Sequence, residues 1–264
     1  DAPPAPPIFN PCDGLGVELF LRTARGLVPT EAGLDILEHA QNMQTAAAKL
    51  RLAADGRADD LRGTVRITAS VVVCHFILPD IIAVMRQTLP DIQLELVPSD
   101  TTENLIFREA DIAVRMYRPT QLDVITRHVT DQPTALYAAT SLLDRTGRPA
   151  TPDDLMGMDI IGFDKNDLII TMLADQGITV TRDFFPLRCD DQAAYWHMVC
   201  AGCGIGAAQT LIGDADPRVE RIAPIFALPS LPVWLAAPHA LRTNARIRGV
   251  WDALGEGLQS RTGA

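Results

Sequence analysis

The sequence predicts an α/β protein in which two α/β units of similar size follow one long helix. The helix is predicted because residues 31–54 form the longest proline-free stretch with apolar residues at helical spacing. The two units are predicted because, from Gly63 onward, short segments of alternating apolar and polar residues take turns with segments of helical periodicity. Such an order is typical of a parallel sheet covered by helices.

Composition and charge limit the possible functions. The 264 residues, 47% of them hydrophobic and 21% charged, suffice for one large domain or two modest ones. The formal net charge of −10 repels a phosphate backbone, so the chain as a whole is not expected to bind nucleic acid non-specifically. No apolar run reaches about 18 residues, which argues against a membrane span. Five cysteines and a start without signal-peptide features favour a cytoplasmic location.

The N-terminal part contains a basic β-ribbon. Residues 1–14 are rich in Pro and Ala and are predicted to be disordered. In residues 15–30, two short apolar runs flank a turn that carries Arg22 and Arg25, which predicts a ribbon with a cationic tip. Thr30 is a good N-cap residue, so a helix is expected to begin directly after the ribbon.

The long helix is expected to span residues 31–58 and to pair with a second helix. Its apolar residues recur at alternating spacings of four and three, which is a heptad seam rich in alanine. We therefore predict dimerisation through the seam, the alternative being a helix that packs on its own domain. The seam residues are Ile36, Ala40, Met43, Ala47 and Leu50.

The first α/β unit begins with a strand that ends at Ser70. A helix follows, with Ile77, Ile81, Met85 and Leu89 on one face, and then a strand from Ile92 to Leu96. A helix over residues 102–110 precedes a third strand, residues 111–116. Further strands are predicted at 124–129, 135–140, 159–164, 178–188, 219–224 and 232–237, with helices at 191–202 and along Ile247, Val250, Trp251, Leu254 and Leu258.

Several of these stretches resemble LysR-type transcriptional regulators. Leu15-Gly16, Leu19-Phe20, Arg22, Arg25-Gly26-Leu27, Pro29-Thr30 and Ala32-Gly33 are similar to the stretch that closes the DNA-binding head of that family. The similarity continues through residues 63–70, 76–96, 109–115 and 201–206, and it covers roughly residues 15–260. No single motif is conclusive, but the order and spacing of the motifs are specific.

The resemblance implies a domain organisation. Residues 15–30 would be the wing of a winged helix-turn-helix, with Arg22 and Arg25 as the remnant of its DNA contacts. Residues 31–58 would be the linker helix that pairs two subunits. Residues 62–264 would be an effector-binding domain made of two Rossmann-like lobes of the periplasmic-binding-protein (type 2) kind. Lobe I would comprise about 62–136 and 237–264, and lobe II about 137–236.

The resemblance also implies a function. The chain would be the effector-sensing and oligomerisation part of a regulator that forms a homodimer or tetramer, with no cofactor and no enzymatic activity. In the family, two helices precede the wing, but here that place holds residues 1–14, whose prolines disfavour helices. We therefore expect the chain alone not to bind DNA specifically, and DNA to be a partner only of an intact full-length form.

Candidate effector contacts follow from the sheet. In open parallel sheets, ligands bind beyond the carboxyl ends of strands and at helix N-termini. Each hydroxyl there could equally be a helix cap or turn residue, and the acidic residue that opens a helix could be a simple cap. Arg115 could clamp a carboxylate, pair with Asp111 or Glu109, or lie on the outer face. The candidates are Ser70, Val71, Ser99, Asp100, Thr101, Arg115, Thr140 (at the expected hinge), Phe163 and Asp191.

The candidate contacts limit the chemical class of the effector only in part. Hydroxyls and free backbone amides suit an anion or a polar oxygen, so a carboxylate or an aromatic acid is the first candidate. Asp100 and Asp191 argue against a strongly anionic effector.

Rival functions rest on weaker patterns. Cys189, His197, Cys200 and Cys203 have a spacing that could supply zinc ligands, but most fall on one helix, so no metal is expected. A redox sensor based on Cys200 and Cys203 is one rival, because some members of the family sense oxidants through cysteine pairs. A solute-binding protein and an enzyme of the same fold are two more. Catalysis is not expected, since the five histidines stand at no meaningful spacing from a nucleophile or second base.

Overall fold

The computed structural model describes residues 16–23, 26–37, 39–40, 43, 46–47, 61–100, 110–120, 124–239 and 244–261. The predicted disordered segment 1–14, most of the predicted helix 102–110, Arg25, Leu50 and Thr101 lie outside these residues. The chain divides into two compact units, Asp1–Ala54 and Asp55–Ala264.

The N-terminal unit contains the predicted ribbon and helix start. Strands β1 (Phe20–Thr23) and β2 (Gly26–Pro29) pair antiparallel, and Gly26 has a φ of 120°, which favours glycine. The amide of Gly33 donates to Thr30 Oγ1 at 2.9 Å, which confirms the predicted N-cap. Residues 31–37, 39–40, 43 and 46–47 have helical backbone, and Met43 of the predicted seam is 74% exposed.

The first lobe of the C-terminal unit is built on a five-stranded mixed sheet. Three strands are parallel, as predicted, but the two strands next to the second lobe pair antiparallel to each other. The predicted parallel pairing of the first three strands is confirmed, and one strand of opposite direction makes the sheet mixed. A strand that returns from the second lobe enters at the edge where the parallel strands end, so it has to run in the opposite direction. The sheet order is β4 (Ile92–Pro98), β3 (Gly63–Ala69), β5 (Ile112–Arg115), β12 (Leu231–Pro238) and β6 (Val124–Gln132).

Among the described residues of this lobe, three helices cover the sheet. They are α1 (Val71–Phe76), α2 (Leu78–Thr88) and the C-terminal α8 (Ala245–Ser260). Helices α2 and α8 contact each other, and α8 begins where the Asn244 side chain accepts the amide of Ile247 at 3.1 Å. The apolar faces predicted for both helices are buried, through Ile81 and Met85 in α2 and Ile247, Val250, Leu254 and Leu258 in α8.

The second lobe has a three-stranded antiparallel sheet, a short parallel strand pair and five helices among its described residues. The sheet order is β10 (Gly206–Gln209), β7 (Thr134–Ala139) and β11 (Val219–Arg221), and the pair is β8 (Ile161–Gly162) with β9 (Leu187–Arg188). The helices are α3 (Thr140–Thr146), α4 (Pro152–Met156), α5 (Leu168–Asp175), α6 (Gln192–Cys200) and α7 (Thr210–Gly213).

Two predicted features differ from the structure. Residues 178–188 were expected to form a strand, but only Leu187–Arg188 does so, and Arg182–Phe184 form a 3₁₀ turn. Their alternation arises because Ile178, Val180 and Phe184 pack against the core of the second lobe. The chain crosses between the sheets at Pro133 and within residues 222–230, so β12 belongs to the first lobe although the lobes were expected to divide at 136 and 237.

Two glycines of α8 allow a test of how closely this helix packs. A Cβ on Gly249 would meet only Leu89 Cδ2, at 3.8 Å, whereas a Cβ on Gly257 would lie 2.6 Å from Ile81 Cγ2. We expect Gly249→Ala to raise stability by about 0.5–1 kcal/mol through helix propensity. Gly257→Ala is expected to lower stability by about 1–2 kcal/mol, because overpacking outweighs propensity. Thermal unfolding of both variants measures the difference, and an equal response would contradict the described packing of α8 on α2.

Candidate functional site

The parallel strands of the first lobe end at one edge of the sheet. Ala69 pairs with Pro98 of β4 and with Val114 of β5, so the residues that follow these strands lie side by side. The amide of Ser99 donates to the Ala69 carbonyl at 2.8 Å, which ties two of the strand ends together. We call this the first edge; its members are Ser70, Val71, Ser99, Asp100 and Arg115, as predicted from the sequence.

Ser70 and Asp100 have different roles at the first edge. An Asp100 carboxylate oxygen accepts the amide of Val71 at 3.0 Å, so Asp100 satisfies a donor at the start of α1. Ser70 is the backbone N-cap of α1, but its side chain makes no capping bond. The Ser70 hydroxyl oxygen is buried and has no hydrogen-bond partner in the structure. A buried hydroxyl without a partner is costly, so Ser70 is not explained by helix capping.

Arg115 is buried within the first edge. Its exposed fraction is 3%, which excludes the outer face. The guanidinium Nη1 donates to the Val114 carbonyl at 3.3 Å and Nη2 donates to Thr68 Oγ1 at 3.4 Å. Both bonds are long, and a guanidinium has five N–H donors. The expected alternative partner Asp111 accepts the amide of Arg66 at 2.8 Å, and Glu109 lies outside the described residues.

Cys74 reports on the charges of this edge. Burial raises the pKa of the Cys74 thiol to about 11, while Arg115 opposes the shift and Asp100 adds to it. The Cys74 thiol therefore stays protonated at neutral pH.

The second lobe presents a comparable edge. Strands β8 and β9 are parallel, so residues 163–165 and 189–191 follow them on the same side; we call these six residues the second edge. An Asp190 oxygen accepts the amides of Asp164 and Lys165, at 2.8 and 3.2 Å. Asp191 accepts the amide of Ala194 at 2.8 Å, so it is the helix cap that the sequence left as an alternative. Phe163 stacks in a tilted arrangement on Tyr195, with 5.5 Å between ring centroids.

An ion pair stabilises the second edge. The guanidinium of Arg182 hydrogen-bonds to the carboxylate of Asp164, and this bond holds the pKa of Asp164 below its usual value. Carboxylates of the chain itself thus accept the amides of Asp164 and Lys165 after β8 and the amide of Ala194 in α6.

The structure does not bring Thr140 to either edge. β8 and β10 run in the same direction, as the bridge between Ile160 and Ile205 shows, and β10 ends beside Pro133, where the chain crosses between the lobes. β7 is antiparallel to β10, so Thr140 at its end lies on the side away from that crossing. There its amide donates to the Arg218 carbonyl at 3.0 Å. The expected role of Thr140 at the hinge is wrong because β7 leads away from the hinge.

The two lobes touch through the helices that begin at the two edges. Phe76 of α1 packs edge-to-face on His197 of α6, with 5.7 Å between ring centroids. This contact joins the last residue of α1 to the second half of α6.

An apolar pocket was not predicted from the sequence. It has a volume of about 120 Å³ and lies in the second lobe beside Phe163, Met172 and Tyr195. Burial raises the pKa of Tyr195 to about 12, so this phenol stays neutral. The sequence signal was the run LIITMLA (residues 168–174), which is more apolar than a helix with one exposed face requires.

The cysteines do not form a metal site among the described residues. No group of three or more His, Cys, Asp or Glu side chains there is arranged to hold an ion. Cys200 is buried, and its thiol lies 3.3 Å from the Asp216 carboxylate. Burial, with that carboxylate, raises the pKa of Cys200 to about 12. Cys203 is exposed.

Two α/β lobes, joined by two crossings and carrying polar strand ends beside them, define a domain of the type 2 periplasmic-binding-protein kind. Comparison with known proteins gives the family. The family described as LysR substrate binding domain matches residues 58–259, and the chain therefore belongs to the LysR-type transcriptional regulators. This confirms the resemblance and the fold class.

Relatives and solved structures agree with this family. The HTH-type transcriptional regulator CrgA of Neisseria meningitidis is 26% identical over 216 residues, which are 81% of this chain and 72% of CrgA. The structure of the CrgA regulatory domain matches 75% of this chain and 99% of that domain, with a TM-score of 0.67 at 23% identity. Full-length AphB of Vibrio cholerae matches 92% of this chain and 85% of AphB, with a TM-score of 0.66 at 18% identity. Both structures support the fold.

Within the described ranges, no helix is both long enough and apolar enough to span a bilayer.

The two neighbouring cysteines are expected to differ in reactivity. At pH 8, the raised pKa of Cys200 leaves almost no thiolate, whereas Cys203 is exposed. We expect N-ethylmaleimide to modify Cys203 at least about 100-fold faster than Cys200. Peptide mapping by mass spectrometry resolves the two sites, and the same reaction in guanidinium, where both should react alike, is the control. Comparable rates in the folded protein would contradict this and favour a redox sensor.

Proposed function

We propose that the chain senses a small-molecule effector bound between the first and second edges. The observation that carries this proposal is the unsatisfied, buried hydroxyl of Ser70 next to the buried guanidinium of Arg115. Because β3 and β5 are parallel with Ala69 opposite Val114, Ser70 and Arg115 occupy corresponding positions in the register. A ligand oxygen placed there would accept hydrogen bonds from both side chains.

The energetics favour a ligand at this place. An unmade hydrogen bond of a buried group costs about 1–3 kcal/mol, and a bond to a charged donor contributes about 1.5–3 kcal/mol. Both amounts would be recovered when an acceptor binds. A carboxylate or a carbonyl group supplies such an acceptor, and a guanidinium binds a carboxylate in bidentate geometry.

The acidic residues restrict the effector charge. Asp100, Asp190 and Asp191 already accept backbone amides at the two edges, so these amides are not free for anion binding. The three carboxylates also repel additional negative charge. These contacts support an effector with one carboxylate or one strong acceptor, such as an aromatic acid, and disfavour a polyanion.

The N-terminal helix provides an interface in this proposal. Met43 of the predicted seam is 74% exposed, and Ala40 and Ala47 of the same face are also exposed, so this part of the seam is open to solvent. Pairing of this helix with a second copy would bury them, and effector binding would act on DNA by favouring one arrangement of the subunits. The dimerisation residues that fall among the described ones are Ile36, Ala40, Met43 and Ala47.

Melting temperature against a panel of carboxylates, amino acids and aromatic acids tests the sensing function. A ligand at about 100 times its dissociation constant adds about 2.7 kcal/mol to stability, which raises the melting temperature of a chain of this size by about 5–10 °C. Ser70→Ala is expected to leave the ligand-free protein at least as stable as before, because it removes a buried hydroxyl that has no hydrogen-bond partner. It should weaken binding of the hit about 3- to 10-fold, and Arg115→Met more strongly.

Ser141→Ala is the matched control, since Ser141 is exposed on α3, away from both edges. The proposal fails if no compound of the panel stabilises the protein, or if Ser70→Ala and Ser141→Ala respond to the hit in the same way.

A further inference from the structure

We infer that the apolar pocket of the second lobe is a binding site for a compact, uncharged, apolar molecule of about one six-membered ring. This inference goes beyond the proposed function, because the pocket lies within one lobe and its ligand class does not depend on the polar edges. It stands on the shape, lining and accessibility of the pocket.

The walls of the pocket offer hydrocarbon and almost no polar group. Side chains of β7, α4 and α5, together with Phe226 and Leu228 before β12, supply the lining. The Tyr195 hydroxyl accepts the amide of Ala207 at 3.0 Å, so this polar atom already has a partner. Apart from Tyr195, the only polar side chain in the lining belongs to Gln176, which is exposed.

The pocket has an open mouth. Leu168, Ala207 and Ala227 line it and are at the same time exposed to solvent, Leu168 with 50% of its surface. An exposed leucine beside an apolar concavity is a feature that a ligand would bury. A molecule can therefore enter without opening the core of the lobe.

Size and chemistry define the ligand. The volume of about 120 Å³ is slightly below that of a cavity of about 150 Å³ lined by Leu, Ile and Phe, which stays dry and binds benzene. Atoms that line an empty pocket have no neighbouring atoms on one side and therefore lose dispersion contacts. An apolar ligand restores these contacts. A charged group would be desolvated without a partner there, so ions are excluded.

The walls are held in place before binding. Phe163 and Tyr195 stack on each other, and Tyr195 is tied to β10 by its hydroxyl. A Cβ on Gly206 would lie 2.6 Å from that hydroxyl, so β10 approaches α6 as closely as its glycine permits. Binding to such a preformed site costs little ordering of the protein.

Toluene and benzoate, two ligands with the same ring, test the inference on the whole chain. Methyl-labelled methionines provide local signals: Met172 lines the pocket, whereas Met116 follows Arg115 at the first edge. We expect toluene to saturate a shift of the Met172 methyl resonance without moving that of Met116. Benzoate should bind at Met172 at least 10-fold more weakly than toluene, whatever it does at Met116.

Variants with a phenylalanine at the rim of the pocket make the test specific. Ala207→Phe places a ring at the mouth and should weaken the toluene effect on Met172 at least 10-fold. Ala208→Phe is the matched control, because Ala208 is the next residue of the strand, points to the opposite face and does not line the pocket. If Ala207→Phe does not fold, Ala227→Phe fills another part of the rim.

The results separate this inference from the proposed function. The inferred binding site is wrong if toluene does not shift the Met172 resonance, or if Ala207→Phe binds toluene as well as the wild type does. Neither outcome affects the proposed effector site at the polar edges. Equal binding of benzoate and toluene at Met172 overturns the ligand class. A shift of the Met116 resonance with an aromatic acid tests only the proposed effector site at the two edges.

Discussion

The pairing of β6 with β12 is the constraint on which the two-lobed arrangement depends. These strands carry the chain out of the first lobe and back into it, and they form eight residue pairs from Leu231–Gln132 to Pro238–Val124, with a shift of register between Val233 and Trp234. Beyond the pair, the Thr134 hydroxyl donates to the Pro229 carbonyl at 2.8 Å, so the crossings are also tied on the side of the second lobe. Any hinge rotation of the lobes has to take place in these two adjacent crossings, because they are the chain connections between the two sheets.

The hinge also decides which ends of the strands carry the site. β12 enters at the edge where β5 ends, as the pairing of Trp234 with Arg115 shows. The first edge is therefore next to the crossing, and β8 points toward the same crossing from the second lobe. Thr140 is excluded for the same reason, since β7 leaves the crossing and ends on the far side of its sheet.

The acidic residues at the edges stabilise the protein itself. Asp100 and Asp191 cap α1 and α6, and Asp190 holds the two amides after β8. Helix N-termini are ready anion sites only while their amides are free. Here carboxylates of the chain itself occupy these amides. In the proposed site, ligand selectivity therefore depends on Ser70 and Arg115, whose hydrogen-bond donors are not fully used.

The sequence predicted the elements in which one pattern dominates. The faces of α2 and α8, the strands β3 and β4 and the Thr30 cap follow from local periodicity and capping chemistry alone. The direction of β12 could not be predicted, because strand direction is a property of the whole path of the chain. The same holds for residues 178–188, where packing against the core imitates the alternation of a strand. The pocket was missed because concavity depends on which side chains leave a space unfilled, and a run such as LIITMLA shows only that a helix is buried on several sides.

Helix α6 relates the polar and apolar features to each other. It begins at Asp191 of the second edge, carries Tyr195 into the wall of the pocket and presents His197 to Phe76 of the first lobe. A small displacement of α6 therefore changes the pocket and the contact between the lobes together. A ligand at either place can shift the lobes only by the difference between its affinities for the two arrangements. In the proposed function, that difference arises from contacts that a ligand makes with both edges at once, because these contacts depend on the distance between the lobes.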